Sequence, residues 1–171
     1  GLVWLDLRSN DITSAGAVNL ADALRSNESL HTLYLQNNDL GEQGGVAVAE
    51  ALRENKSLSC LHLDTTKLQG MACSDIFKSL QVNPSLTELS LCSNSCDQGA
   101  QHLAEALRVN THLTCLSMFY AAISTERGVD LCAALARNSS LTRIDLARNW
   151  LKDEGACAMA EVIQVNRVIQ Y

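Results

Sequence analysis

The sequence predicts an α/β solenoid: six repeats of about 28 residues, a curved parallel sheet on the concave face and helices on the convex face. Three observations lead there. Repeat-initial apolar residues fall at Leu2, Leu30, Leu58, Leu86, Leu113, Leu141 and Ile169, with spacings of 28, 28, 28, 27, 28 and 28. Inside one unit, Leu30 to Ser57, alternating apolar residues give way to the helical spacing of Val48 and Leu52. Finally, one strand and one helix are too small to bury their own apolar faces, so neighbours must stack.

Each unit opens with a strand, as in Leu2, Leu5 and Leu7 or Leu141, Ile144 and Leu146. The leucines point inward and the residues between them outward. A turn follows with Asn10, Asn38, Asn94 or Asn149, whose amides suit a ladder of bonds to buried backbone. The next apolar residue (Ile12, Leu40, Leu68, Cys96, Ile123 or Leu151) closes the turn. The helix after it places Ala17, Leu20, Ala21 and Leu24 on one face in the first unit. Helices end near Asn27, Asn55, Asn83, Asn110, Asn138 and Asn166, where a left-handed backbone is expected. Strands stack at roughly 4.8 Å and helices at roughly 8–10 Å, so the stack must bend with the sheet inside.

Units three to five depart from the pattern. Thr66 and Ala121 replace the turn asparagine, Ala72 replaces a glycine, and Phe77 occupies an alanine slot. Overpacking there is expected to cost about 1–3 kcal/mol unless neighbours adapt. Unit four is one residue short between Cys96 and Leu103.

Composition narrows the function. The chain has 171 residues, 47% of them apolar, and a net charge of −6. That acidity argues against nucleic acid or an anionic membrane as partner. No apolar run is long enough to span a bilayer. Seven cysteines, an odd number with no CxxC pair and no secretory leader, suggest reduced thiols and a cytoplasmic protein. The chain opens inside one repeat and stops at the start of another. One domain, 1–171, cut from a longer array is therefore expected, with further repeats or domains of the same chain at either end.

The LxxLxLxxN strands, the Gly-x-x-Leu/Val-Ala-x-x-Leu helices and the period together resemble the leucine-rich repeat family, in its ribonuclease-inhibitor-like subtype. The resemblance spans Leu2 to Ile169. It implies a binding scaffold, since the subtype serves nucleotide-binding innate immune receptors, ribonuclease inhibitor and the GTPase-activating protein for Ran. A sensor or autoinhibitory region and a GTPase-activating protein are the alternatives it raises.

In such an arc, binding residues are outward strand residues and the first turn residues. By period, the candidate partner-binding set is Trp4, Asp6, Arg8, Tyr34, Gln36, His62, Asp64, Glu88, Phe119, Tyr120, Arg143, Asp145 and Arg148. Four of the chain's seven aromatics, Trp4, Tyr34, Phe119 and Tyr120, fall in this set, and rings on a rigid sheet suit interface anchors. The mixed charges fit a polar rim rather than a phosphate backbone.

No catalytic residue, metal or cofactor is expected. Cys60, His62 and Asp64 share a strand face, but same-face neighbours lie roughly 6.6 Å apart, beyond hydrogen-bond reach. A zinc set of Cys60, His62, Cys92 and Cys115 would need convergence that adjacent strands do not enforce. The N-x-Ser triplets at Asn27, Asn55 and Asn138 follow from the repeat itself. The sequence thus points to a non-enzymatic module that binds another protein through its concave face.

Overall fold

The computed structural model describes residues 1–170. Among these, six strands alternate with six α-helices. The strands are β1 (Trp4–Asp6), β2 (Thr32–Tyr34), β3 (Cys60–His62), β4 (Glu88–Ser90), β5 (Cys115–Ser117) and β6 (Arg143–Asp145). The helices are α1 (Ser14–Ser26), α2 (Gly41–Glu54), α3 (Gly70–Ser79), α4 (Ala100–Leu107), α5 (Thr125–Leu135) and α6 (Lys152–Val165). The strands form one parallel sheet in sequence order. Register carries Leu5 onto Leu33, Leu61, Leu89, Leu116 and Ile144.

The second leucine of each strand enters the space between sheet and helices. Leu33, Leu61, Leu89 and Leu116 are buried, while Leu5 and Ile144 in the end units are half-buried. Leu2 is exposed. End units have one neighbour instead of two, which leaves part of their apolar face uncovered.

The turn asparagines form the expected ladder. Asn38 accepts from the backbone of Asn10 and Ile12 and donates to the carbonyls of Leu7 and Leu35. Asn94 and Asn149 repeat this. The Thr66 side chain keeps only a bond within its own unit, donating its hydroxyl to the Leu63 carbonyl at 2.5 Å. The ladder therefore skips a rung between units two and three, and Ala121 removes another between units four and five.

A second ladder runs under the helix ends, and here the expected backbone is wrong. Asn27, Asn55 and Asn166 are extended, with φ of −80°, −68° and −79°. None of the six helix-end asparagines has a positive φ. Their side chains do the work instead. Asn55 accepts from the N–H groups of Ser57 and Leu58 and donates to the carbonyls of Leu24 and Asn27, one unit back. Capping the next two N–H groups is an Asx turn, which an extended backbone permits. The burial of Asn55 and Asn138 in this role also accounts for their triplets without glycosylation. Positive φ occurs instead after the third leucine, at Ser9, Asn37, Thr65, Ser93, Tyr120 and Arg148.

The irregular units are accommodated by local exchange. A Cβ on Gly45 would lie 2.6 Å from that of Ala72, so Gly45 in unit two makes room for the extra methyl of unit three. Unit four begins its helix with a 3-10 turn, Asp97–Gly99. The rise of about 2.0 Å per residue in that turn, against about 1.5 Å in an α-helix, covers the distance with one residue fewer. Phe77 is wholly buried, as are Cys73, Cys96 and Cys132.

Candidate functional site

Outward side chains on the sheet form two tiers. Parallel register aligns Trp4, Thr32, Cys60, Glu88, Cys115 and Arg143 in one, and Asp6, Tyr34, His62, Ser90, Ser117 and Asp145 in the other. The four aromatics expected to form one surface separate into two groups.

The first group lies over β1 to β4 and is interlocked. The Trp4 ring meets Tyr34 edge-on, with centroids 5.8 Å apart. Tyr34 packs on His62 at 4.8 Å, and the Arg8 guanidinium sits 5.5 Å from the Tyr34 centroid. Arg8 also donates twice to Asp6, from Nε at 2.9 Å and Nη2 at 2.6 Å. Those bonds hold the Asp6 carboxyl below its usual range. Gln36 Nε2 lies 3.1 Å from His62 Nδ1, and His62 Nε2 lies 2.9 Å from Glu88 Oε1.

Adjacent strands supply the partners of His62 and Asp64, whereas the long Arg8 side chain reaches Asp6 two residues away in its own unit. Asp64 turns toward β4 and accepts from the Ser90 hydroxyl and the Cys92 N–H. Cys60, His62 and Asp64 therefore do not assemble into a nucleophile and base. Burial, followed by the charge of Glu88, pushes the Cys60 thiol up to about 11. Burial also raises Cys92 and Cys115. These thiols are protonated at neutral pH and poor nucleophiles. Among the described residues, Glu88, and neither Cys92 nor Cys115, brings a ligand atom close to those of Cys60 and His62.

The second group lies at the turn edge of units five and six. Tyr120 is 60% exposed and Trp150 61%. Arg148 stands 5.7 Å from the Phe119 centroid. A groove of about 750 Å³ runs from Trp150 past Ala122, Ser95 and Gln98 to Glu42 and Met71. A second, of about 330 Å³, connects Trp150 with Tyr120, Arg148 and Lys67. Tyr120 has φ of 50°, in a slot filled elsewhere by Ser, Asn, Thr or Arg. A bulky ring there is strained by about 1–2 kcal/mol. Asp145 is occupied by the N–H of Ala147, and Arg143 is exposed at the sheet's last strand. Met71, exposed in the groove wall, has no periodic signal, because it sits at the irregular entry to α3.

Among the described residues no helix is long and apolar enough to cross a membrane. The Leucine Rich repeat family matches residues 2–21, 26–49 and 137–160, the regular units at the two ends. No curated protein matches the chain. Among solved structures, that of leiomodin-1 actin-binding site 2 is similar at 26% identity and a TM-score of 0.69, over 80% of each chain. A tropomodulin C-terminal domain from Caenorhabditis elegans is similar at 17% identity and a TM-score of 0.68, over 90% of this chain and 92% of that one. The second likeness is of fold alone. With the repeat period, the parallel sheet and both asparagine ladders, these matches show the leucine-rich repeat fold, similar to the ribonuclease-inhibitor-like type.

Proposed function

We propose that this array is a non-catalytic cytoplasmic module that binds actin, with the turn edge of units five and six as its anchor. The observation that carries the site is the pair of exposed rings, Tyr120 and Trp150, beside an open groove on a rigid scaffold. Large rings held on fixed backbone lose little entropy on binding and dominate interface energies. The partner's identity rests on the likeness to the actin-binding site of leiomodin-1.

Phe119 and Arg148 extend the anchor onto the concave face, and Arg143 and Asp145 form its charged rim. In this reading Trp4, Asp6, Arg8, Tyr34, Gln36, His62, Asp64 and Glu88 shape the remaining concave surface through contacts with one another. Sedimentation of the purified chain with monomeric actin tests the partner. Saturable one-to-one binding is expected, and absence of binding at about 100 μM of each protein refutes actin as the partner.

A further inference from the structure

The interlocked half of the concave face holds a cluster that the binding edge does not use. The Cys60 sulfur, a His62 ring nitrogen and a Glu88 carboxylate oxygen all lie within 4.8 Å of one another. Cys60 pairs with Glu88 across β3 and β4, and His62 follows Cys60 by two residues on the same face. All three are half-buried. Ligand atoms around tetrahedral zinc, at bonds of about 2.0–2.3 Å, stand roughly 3.3–3.8 Å apart. Small side-chain rotations therefore close this cluster around an ion. We propose that Cys60 Sγ, His62 Nε2 and Glu88 Oε1 bind a divalent transition-metal ion of the zinc type, with the fourth position open to solvent on the concave face.

A second observation points to the same ligand. Gln36 Oε1 is buried without a hydrogen-bond partner, the one such side-chain atom among the described residues. Its amide nitrogen is 3.1 Å from His62 Nδ1. With the Gln36 amide nitrogen facing Nδ1, a neutral metal-free ring has Nδ1 as acceptor and its proton on Nε2, toward Glu88. An ion on Nε2 requires the neutral ring to carry its proton on Nδ1. Rotation of the Gln36 amide then lets the unpaired Oε1 accept that proton's hydrogen bond. Metal-bound histidines need such an outer partner to fix tautomer and orientation. Tyr34, packed on the His62 ring, holds its plane. The proton balance is simple: the imidazole proton moves from Nε2 to Nδ1, Glu88 binds as carboxylate, and Cys60 releases one proton to solvent. Thiolate, imidazole and carboxylate together favour zinc over calcium or magnesium.

Titration of the reduced, chelator-treated protein with Co²⁺ and then Zn²⁺ tests this. One equivalent of Co²⁺ is expected to give thiolate-to-cobalt charge-transfer absorption, which Zn²⁺ displaces. Cys60→Ser should remove the band, His62→Ala should weaken binding at least tenfold, and Gln36→Leu should weaken it roughly 10–100-fold with the band retained. Affinity should rise about tenfold per pH unit near neutrality, as one thiol proton is lost. No charge-transfer band, or a band that survives Cys60→Ser, overturns the site. Should that variant fail to fold, mass spectrometry of the alkylated wild type decides. Zn²⁺ must shield Cys60 from iodoacetamide, and an unshielded Cys60 overturns the proposal. Actin binding plays no part in these readouts.

Discussion

The two ends of the outward surface are built in opposite ways. Over β1 to β4, Trp4, Tyr34, His62 and Glu88 satisfy one another, and Arg8 closes on Asp6. At the edge of units five and six, Tyr120 and Trp150 stand open to solvent, and Tyr120 does so on strained backbone. Aromatic content alone would rank the two regions as equals. Trp4 is itself 52% exposed, so the proposed distinction rests on the partners a ring already has rather than on exposure alone.

The largest expected effect concerns thiols in the interlocked half. With its pKa near 11 against an ordinary 9.0, Cys60 should react with iodoacetamide at neutral pH about tenfold more slowly than an unperturbed thiol, its smaller thiolate fraction being partly offset by a more nucleophilic thiolate. Its rate should climb with pH up to about 11. Fast alkylation of Cys60 at pH 7, located by mass spectrometry, would mean that this half is more open than described.

Removing the central ring of that half comes next. Tyr34→Ala loses the contacts with Trp4, His62 and Arg8 and should destabilise the fold by about 2 kcal/mol in chemical denaturation. Trp150→Ala, at the open edge, should change stability by less than about 0.5 kcal/mol. Equal costs would erase the distinction.

Tyr120→Asn separates strain from function. Asparagine tolerates positive φ, so stability should rise by about 1 kcal/mol while actin binding falls. A variant that gains no stability would remove the strain argument.

The smallest effect is the pH dependence of the Asp6–Arg8 pair. The folded carboxyl titrates below its ordinary value of 3.8. Its contribution is therefore present above that value and is lost as pH falls through the lower, folded one. Arg8 is exposed and Asp6 still reaches solvent, so Asp6→Asn should flatten acid unfolding below about pH 4 only slightly.

The repeat was legible because its spacing is a property of the chain: Leu33, Leu61 and Leu89 are counted before they are seen to stack. So were the tiers, since side-chain alternation places Tyr34 and His62 on one face. Direction within a tier was not legible. His62 reaching Glu88, or Asp64 turning to Ser90, depends on contacts between units that period alone does not rank. The helix-end asparagines misled for a similar reason. Asn27 and Asn55 recur as left-handed caps would, but their side chains bond across units and leave the backbone extended. The left-handed position of Tyr120 lay in the turn, where the sequence shows only a change from small polar residue to ring.

The central claim, that the open edge and not the interlocked half anchors the partner, is tested most directly by comparing two variants in actin binding. Tyr120→Ala with Trp150→Ala should weaken affinity by roughly 30-fold or more, and Trp4→Ala with Thr32→Ala by less than about threefold. A loss confined to the Trp4 variant, or equal losses in both, would contradict the account.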